Sequence, residues 1–355
     1  MSAPPIPETR TEALTPIVDR LRRARSVALT THVNADGDGA GCEIALASWL
    51  RAHDVRATIV NPTPFPSTFE FLLATEGAED DMVADLGAGG ETVLDTVELL
   101  LVVDTGEIGR IGKVARALTR ETIVIDHHPI GEDPIPGSGL RDPEACATGE
   151  LIYDLLRVWE ARTGSEGSWS PALVDALYTA ILTDTGSFRF SNTTPRTHEI
   201  VADLIGRGAD PEKLYSQLYS VPLRRVLLLR EALGTLEYDA DHGIAWITVP
   251  AEALQRLGVG TDDFDGLIDH ARGIRGTRVA LLFRQTGGGT KISFRATGDI
   301  DVNRIARMFG GGGHVKAAGA VVGGPLEANR ARVLDAVRSA IGSADRAAER
   351  AGRTA

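Results

Sequence analysis

The sequence predicts an α/β protein with a doubly wound parallel sheet and a second, smaller α/β unit, joined by a helical connector. Strand-like and helix-like segments alternate through the first half of the chain, as in a parallel sheet covered by helices. Two of the strand segments, Glu98–Val103 and Thr122–Ile125, are continuous apolar runs, as expected of strands buried on both faces. Strand-like segments resume beyond about residue 235, which indicates the second unit.

The first half opens with an apolar run, Ser26–Thr31, which predicts the first strand. A polar, Gly-rich loop follows and leads into a predicted helix over 41–53 and a strand over 55–61. The two apolar runs supply the next strands, and further helices are predicted over 149–161 and 171–183. This order predicts that the strands run parallel.

The turn sequence Asn192–Pro195 marks a change of organisation. Helical sequence follows, with a Gly-rich break at 206–208. In the second unit, strands are predicted over 244–249, 278–284 and 291–296. Gly287–Gly289 fits the tip of a hairpin between the last two of these strands.

These elements predict three parts, with a first domain over 12–190, a connector over 191–235 and a second domain over 236–342. The polar tail beyond about Ser343 is expected to be frayed.

The composition indicates a folded protein of the cytoplasm. The 355 residues are 43% hydrophobic and 24% charged, enough for two ordinary domains with real cores. No apolar run reaches the roughly 18 residues that a membrane span needs, and the N-terminus lacks the basic-then-apolar pattern of a signal peptide. The chain has only two cysteines, which favours a reducing compartment.

The net charge of −12 is unevenly distributed. Residues 1–235 hold 21 Lys and Arg against 35 Asp and Glu, a net of −14, whereas residues 272–316 hold nine basic residues against two acids, a net of +7. The acidic part argues against tracking along long duplex nucleic acid, because that requires many phosphates to be neutralised. The split favours metals in the first part and an anionic substrate held by the second. The alternative is that the basic residues are simply solvated on the surface.

The sharpest cluster of chemically active residues is His32, Asp36 and Asp38, within one loop of small residues. Carboxylate and imidazole groups on such a loop can converge on hard divalent cations. Asp36 and Asp38 are two residues apart. If the backbone is extended there, their side chains are expected to face the same way. Taken alone the cluster also fits an ordinary acidic surface turn.

Three further sites repeat this chemistry at predicted strand or helix ends. Asp104 follows a buried strand, Asp126-His127-His128 follows the next one, and Asp184 follows an apolar helical stretch. Ligands of doubly wound sheets bind beyond the carboxyl ends of the strands. A single histidine there is more often a hydrogen-bonded core residue than a ligand. The whole set, however, is better explained by a site, because buried charges need partners.

These residues resemble the motifs of the DHH family of phosphoesterases, which is named after the tripeptide that stands here as Asp126-His127-His128. The first motif of the family, His-x3-Asp-x-Asp-x2-Gly, is matched by His32, Asp36, Asp38 and Gly41. Its second and fourth motifs are matched by Asp104 and Asp184. Cys42 departs from the pattern, since relatives often carry a small hydroxyl residue there, but this concerns no ligand.

The C-terminal part resembles the DHHA1 domain that accompanies DHH domains. Its substrate-binding motif is similar to Phe309-Gly310-Gly311-Gly312-Gly313-His314-x3-Ala318-Gly319. Together the matches span about residues 20 to 340. The Gly run lacks the Gly-Lys-Ser/Thr of a P-loop, but it permits close approach of backbone N–H groups to an anion. The alternative for the run is a flexible connector.

The resemblance implies two metal ions, and we expect Mn²⁺, although Mg²⁺ is possible. His32, Asp36 and Asp104 would hold one ion; Asp38, Asp104, His127 and Asp184 would hold the other, with Asp104 as the bridge. His128 would act as a general acid, and Asp126 would orient a histidine.

Substrate contacts are expected from the second domain. Arg295, Gly311, Gly312, Gly313 and His314 are the predicted contacts there. Arg189 is a weaker candidate from the first domain, since it can equally pair with a nearby acid. A substrate lying between the domains would have its reactive phosphate on the metals and its far end at His314 and Arg295.

The chain resembles the branch of bifunctional oligoribonucleases and 3′-phosphoadenosine 5′-phosphate (pAp) phosphatases. That branch implies hydrolysis of RNA of about two to four residues, of linear dinucleotides such as pApA, of cyclic di-AMP to AMP and of pAp to AMP, by an enzyme that forms a homodimer. One alternative is an inorganic pyrophosphatase or polyphosphatase that shares the metal motifs. Another is a non-catalytic nucleotide sensor with a degenerate DHH site.

Overall fold

The computed structural model describes residues 3–76, 82–164 and 169–352, and the chain divides into two units, Met1–Ser220 and Val221–Ala355. The division falls within the segment interpreted as a helical connector. The predicted domain boundaries themselves stay a prediction.

The first unit is a five-stranded parallel sheet with the strand order β2-β1-β3-β4-β5, so the predicted fold class is confirmed. Its strands are β1 (Ser26–Thr30), β2 (Arg56–Ile59), β3 (Leu99–Val103), β4 (Glu121–Asp126) and β5 (Ser138–Arg141). Its helices are α1 (Glu8–Leu21), α2 (Gly37–Arg51), α3 (Glu70–Glu76), α4 (Gly90–Thr96), α5 (Thr148–Thr163), α6 (Pro171–Asp184), α7 (Pro195–Gly206) and α8 (Pro211–Tyr219).

Both faces of this sheet are covered, which explains the continuous apolar runs of β3 and β4. The larger core joins one face to α1, α2, α5 and α6. The smaller core joins the other face to α4 and to a 3₁₀ segment over Ile108–Thr119. Alternate residues of β3 therefore enter different cores, with Leu101 in the larger and Leu100 in the smaller.

Proline and hydroxyl residues at the helix starts define several of these elements. Ser170 caps α6 by accepting from the Leu173 N–H, and Thr194 caps α7 by accepting from the Thr197 N–H. In each helix the next residue is proline, whose missing N–H has no partner at that position anyway.

The helix α1 is tied to α5 and α7 by a buried charge cluster. Arg10 donates to Asp142 (2.6 Å), Glu150 (2.5 Å) and Asp154 (3.0 Å), and it is 5% exposed. Arg196 on α7 also contacts Glu150 and Asp154. Two guanidinium groups thus neutralise two buried carboxylates on α5.

The strand β5 was absent from the sequence prediction. Only Leu140 of its four residues is buried, so no apolar run announced it. It includes Gly139, where an added Cβ would lie 1.9 Å from the Val124 carbonyl oxygen. The close approach of β4 and β5 therefore depends on glycine at this position.

The second unit is a six-stranded mixed sheet with the order β10-β11-β9-β8-β7-β6. Its strands are β6 (Glu237–Asp239), β7 (Ile244–Val249), β8 (Val279–Thr286), β9 (Gly289–Ala296), β10 (Gly312–Gly313) and β11 (Ala317–Val322). Its helices are α9 (Leu223–Leu233), α10 (Ala251–Leu257), α11 (Leu267–Arg272), α12 (Val302–Arg307) and α13 (Leu326–Gly352). The predicted hairpin tip is correct, because Thr286 pairs with Gly289 across it.

Two helical layers cover this sheet. The helices α12 and α13 pack on one face, and α9, α10 and α11 pack on the other. The polar tail beyond Ser343 continues the helix α13 to Gly352. Among the described residues, no helix has both the length and the apolar character needed to cross a bilayer.

Candidate metal centre

The predicted ligands of the first unit meet at the carboxyl end of its sheet. His32 lies just beyond β1, Asp104 follows β3, and His127 follows β4. The set is completed by Asp36 and Asp38 at the start of α2 and by Asp184 at the end of α6. Three groups have ligand atoms within 4.8 Å of one another: His32, Asp36 and Asp104 form the first, Asp38, His127 and Asp184 the second, and Asp104, His127 and His128 the third.

His32 presents one ring nitrogen to this edge. Its Nδ1 lies 2.9 Å from the Val33 carbonyl oxygen, which fixes the proton on Nδ1 and leaves the Nε2 lone pair free. The Nε2 atom is buried without a hydrogen-bond partner among the described residues, 3.4 Å from Asp104 and 3.6 Å from Asp36. An imidazole held in this way has the form of a metal ligand when its Nε2 is unprotonated.

His127 is held in the same manner. Its Nδ1 lies 3.3 Å from the Ala145 carbonyl oxygen. Its Nε2 is buried and unpaired among the described groups, 3.5 Å from Asp184, 3.8 Å from Asp104 and 3.9 Å from Asp38. Two histidines thus aim an unpaired nitrogen into surrounding carboxylates.

The expectation that Asp36 and Asp38 face the same way was wrong. Asp36 is extended, but the helix α2 begins at Gly37, so Asp38 already lies in helical backbone. Asp36 is the N-cap, accepting from the N–H groups of Asp38 and Gly39, and its side chain is 59% exposed. The Asp38 side chain points inward at 1% exposure, and the helical turn sends the two carboxylates to different groups.

The N-terminus of α5 holds Asp38 in place. Its Oδ2 accepts from the Thr148 N–H at 2.6 Å, and its Oδ1 accepts from the Gly149 N–H at 2.8 Å. Free amides and the helix dipole both favour a carboxylate at this position. Cys42 adds a weak donor, with its Sγ 3.4 Å from the Asp38 Oδ1.

Asp104 lies between the first two groups in an unusual backbone conformation. Its φ angle is +59°, in the left-handed region that few non-glycine residues adopt. The Thr148 hydroxyl donates to its Oδ1 at 3.0 Å, while its Oδ2 faces His32. The side chain is almost fully buried, so this costly conformation places a carboxylate within reach of both groups.

The electrostatics indicate that this edge is built for cations. Burial, and then the charges of Asp104 and Asp184, raise the pKa of Asp38 well above its usual value. Burial lowers the pKa of His32, but the nearby Asp104 and Asp36 carboxylates outweigh it and raise that pKa to about 10. Carboxylates that repel one another while histidine nitrogens stay unpaired fit divalent metal ions held by oxygen and imidazole.

His128 has different surroundings from His127. Its side chain is 39% exposed, against 13% for His127. Both its N–H (3.1 Å) and its Nδ1 (2.8 Å) contact the Asp126 Oδ1. This hydrogen bond raises the pKa of His128, while burial and the positive charge of Arg110 oppose the rise. His128 is thus oriented by Asp126 with its other nitrogen free, the arrangement of a proton donor.

Sequence reasoning missed Thr148, Gly149 and Arg110. The first two open a predicted helix, and a helix N-terminus is a ready anion site, so this signal was present in the sequence. Arg110 stands six residues after Asp104 in the 3₁₀ segment, where no motif marked it. Only the fold brings its charge near His128.

The hydroxyl of Thr148 gives a direct test of the site. We expect Thr148→Val to weaken Mn²⁺ binding by about 10- to 100-fold, the usual effect of removing a hydrogen bond to a metal ligand. Thr148→Ser keeps the donor to Asp104 and should bind metal like the unchanged protein. The measurement is the Mn²⁺ dissociation constant by titration calorimetry. Equal affinity of the Val and Ser variants would mean that this hydrogen bond does not position Asp104.

The predicted substrate residues of the second unit gather on its sheet. Arg295 lies on β9, paired with Ala317 of β11, and its guanidinium donates to the neighbouring Phe294 carbonyl oxygen at 3.0 Å. His314 begins the tight turn between β10 and β11, where its N–H donates to the Ala317 carbonyl oxygen at 2.7 Å.

The Gly run is structured. The Gly311 N–H donates to the Ala306 carbonyl oxygen, and Gly312 and Gly313 pair with β11. An added Cβ on Gly311 would lie 2.1 Å from the Gly319 carbonyl oxygen, so β10 can approach β11 only without a side chain there. The alternative that the Gly run is a flexible connector is therefore wrong. The Gly311 N–H already donates a hydrogen bond within the protein.

Arg189, from the first unit, is exposed, and its Nε donates to the Gly186 carbonyl oxygen at 2.7 Å. Among the described side chains it has no carboxylate partner. The described residues therefore do not support the alternative that Arg189 pairs with a nearby acid.

Comparison with known protein families and curated proteins gives consistent matches. Residues 26–181 match the DHH family, N-terminal domain, and residues 248–343 match the DHHA1 domain. The chain is 33% identical over 312 residues to the bifunctional oligoribonuclease and PAP phosphatase NrnA of Thermus thermophilus, covering 87% of this chain and 88% of the relative. It is 28% identical over 308 residues to the protein of the same name from Bacillus subtilis, covering 86% and 92%.

Solved structures share the fold. An exopolyphosphatase-related protein from Bacteroides fragilis has a TM-score of 0.68 at 22% sequence identity, over 94% of this chain and 96% of that one. The exonuclease RecJ bound to manganese has a TM-score of 0.51 at 17% identity, over 96% of each chain.

Proposed function

Since this chain belongs to the DHH family of phosphoesterases, we propose that it hydrolyses phosphoester bonds in very short nucleotides. The substrates we propose are RNA of about two to four residues, linear dinucleotides such as pApA, cyclic di-AMP and pAp. The observation that carries the proposal is the convergence of six carboxylate and imidazole side chains on one sheet edge.

The names of the relatives support the nucleotide substrates. Proteins from Thermus thermophilus and Bacillus subtilis, which align with 86% or more of this chain, are called oligoribonucleases and PAP phosphatases. The DHHA1 match over 248–343 favours this branch over the pyrophosphatase alternative. The full set of ligand side chains argues against a degenerate sensor.

We propose two Mn²⁺ ions as the cofactors. His32, Asp36 and Asp104 would hold one, and Asp38, Asp104, His127 and Asp184 the other. When bound, two such ions lower the pKa of a water and neutralise charge on a phosphoryl transition state. Imidazole ligands favour Mn²⁺ over Mg²⁺.

The remaining residues of the site would protonate the leaving oxygen and stabilise negative charge on the phosphate. His128, oriented by the Asp126 carboxylate, would donate a proton to the leaving oxygen. Arg110 would stabilise negative charge on the phosphate, because its positive charge reaches the neighbouring His128, whose pKa it lowers. Asp126 is a positioning residue in this proposal.

The second unit would bind the anionic end of the substrate. His314 and Arg295 would contact a phosphate, with Gly312 and Gly313 giving room for its approach. An exposed Gly312 supports this, because an added Cβ there would meet its nearest atom only at 4.0 Å. Arg189 would add a contact from the first unit.

We further propose a cytoplasmic homodimer. Both Cys42 and Cys146 are free and buried, which suits a reducing compartment.

The charge split predicts a steep preference for short substrates. A patch of net charge +7 can hold only the few phosphates that reach it, and residues 1–235, with a net charge of −14, would repel further phosphates. With Mn²⁺ we expect kcat/KM to fall from a 2-mer to a 5-mer and again to a 24-mer RNA. Equal rates on the 24-mer, with a strong loss in high salt, would indicate an extended nucleic-acid surface and overturn the proposal.

The same experiment tests the binding residues. His314→Ala and Arg295→Ala should raise KM for the 2-mer by about 10- to 100-fold, the effect of one lost hydrogen bond to a charged group. A generic small phosphodiester should be hydrolysed nearly as before. Arg275→Ala is the matched control, since it removes an exposed arginine from the same patch. A panel of pAp, pApA, cyclic di-AMP and pyrophosphate identifies the preferred substrate.

A further inference from the structure

Two basic residues face each other across the β8–β9 hairpin of the second unit. Arg284 on β8 is directly opposite Lys291 on β9, so their side chains lie on the same face of the sheet. Like charges in this position destabilise a sheet. Among the side chains that the structure describes, neither residue has a carboxylate in ion-pair contact.

Arg284 is also half-buried in an apolar setting. Its guanidinium lies 4.4 Å from the centre of the Phe264 ring. Burial lowers the pKa of Arg284, as expected of a partly desolvated guanidinium. A bound anion would supply the missing charge for both Arg284 and Lys291.

Arg284 of this pair lines a cavity of about 450 Å³. Leu254, Val259 and Phe264 form an apolar wall, and Gln255 and Gln285 add hydrogen-bonding groups. The volume lies within the ordinary range for small-molecule sites. An apolar wall near two cations that lack a carboxylate partner among the described side chains suits a ligand with a flat apolar part and a phosphate.

We propose that Arg284, Lys291 and this cavity form a second nucleotide-binding site, with the phosphate between the two cations and the nucleoside against Leu254 and Val259. The site is separate from the one proposed for Arg295, because four residues along β9 separate Lys291 from Arg295 by roughly 13 Å. The choice of a nucleotide rests on the proposed function, whereas the anion site does not. The ligand is either a free nucleotide or the far end of a bound oligonucleotide.

Binding is measured without catalysis, on the full chain in excess chelator. In the Arg295→Ala, His314→Ala background, AMP should bind with one site per chain by titration calorimetry. Adding Arg284→Gln and Lys291→Gln should weaken that binding at least tenfold. Adding Arg275→Gln instead should leave it unchanged, and thermal unfolding confirms that each variant is folded.

Three outcomes would overturn the inference: no AMP binding in this background, binding that survives loss of both cations, or inorganic phosphate binding as tightly as AMP. None of them bears on the metal centre, so the proposed function stands or falls separately.

Measuring kcat/KM of the Arg284→Gln, Lys291→Gln protein distinguishes a free nucleotide from the far end of a bound oligonucleotide. If the ratio of kcat/KM for a 4-mer to that for a 2-mer falls, the site holds the far end of the substrate. Unchanged kcat/KM on both substrates, with lost AMP binding, identifies a free nucleotide. A loss on the 2-mer as large as on the 4-mer would mean that there is no separate site.

Discussion

Asp104→Asn is expected to lower kcat/KM by at least about 10³-fold, because a metal pair contributes several kcal/mol and each 1.36 kcal/mol is a factor of ten. Its carboxylate faces both ligand groups, with Oδ2 3.4 Å from His32 and Oδ1 3.8 Å from His127. Asn keeps the size of the side chain and tolerates the φ of +59°. The loss therefore reports the missing charge and not a strained backbone.

Two measurements accompany that substitution. Calorimetric titration with Mn²⁺ should give two ions per chain for the unchanged protein and fewer for Asp104→Asn. Asp133→Ala is the matched control, since it removes an exposed acid from the same unit. It should change neither kcat/KM nor the number of Mn²⁺ ions bound. Full activity of the unchanged protein in excess chelator, or near-normal activity of Asp104→Asn, would rule out the two-metal interpretation.

Replacing His127 and replacing His128 are expected to impair the enzyme in different ways. His127→Ala should weaken metal binding, because its Nε2 lies within 3.9 Å of three carboxylates, and high Mn²⁺ should partly restore its activity. His128→Ala should keep its metals and lose about 10²- to 10⁴-fold in kcat, the usual contribution of a positioned acid. The measurement is kcat as a function of Mn²⁺ concentration.

Asp126→Asn separates positioning from catalysis. It removes the charge that orients His128 but leaves the His128 side chain, so its loss in kcat should be smaller than that of His128→Ala. Rescue of His128→Ala by Mn²⁺, with no rescue of His127→Ala, would reverse the two roles.

Much of this arrangement was predictable from the sequence because it follows from periodicity. Continuous apolar runs identify β3 and β4, and a parallel sheet then brings Asp104 and His127 to one edge. Helix α6 was readable from its own composition, with Pro171 at its start.

What could not be predicted depends on where an element begins and on which strands are neighbours. Asp36 and Asp38 were misjudged because a single helix start at Gly37 changes their directions. Arg284 and Lys291 are seven residues apart, and only the register of β8 and β9 makes them opposite. The contact of Thr148 with Asp104 spans 44 positions, beyond the range of any local pattern.

The charge cluster around Arg10 bears on where this domain can be cut. The family match begins at residue 26, and a chain shortened to that point would keep every proposed metal ligand. It would lose the cation that faces Glu150 and Asp154 on α5, the helix whose first amides hold Asp38. Burial already raises the pKa of Asp154 to about 6, so a trimmed protein would leave an acidic group short of its counterion. For protein engineering, we therefore expect the smallest functional version of this enzyme to start before Arg10.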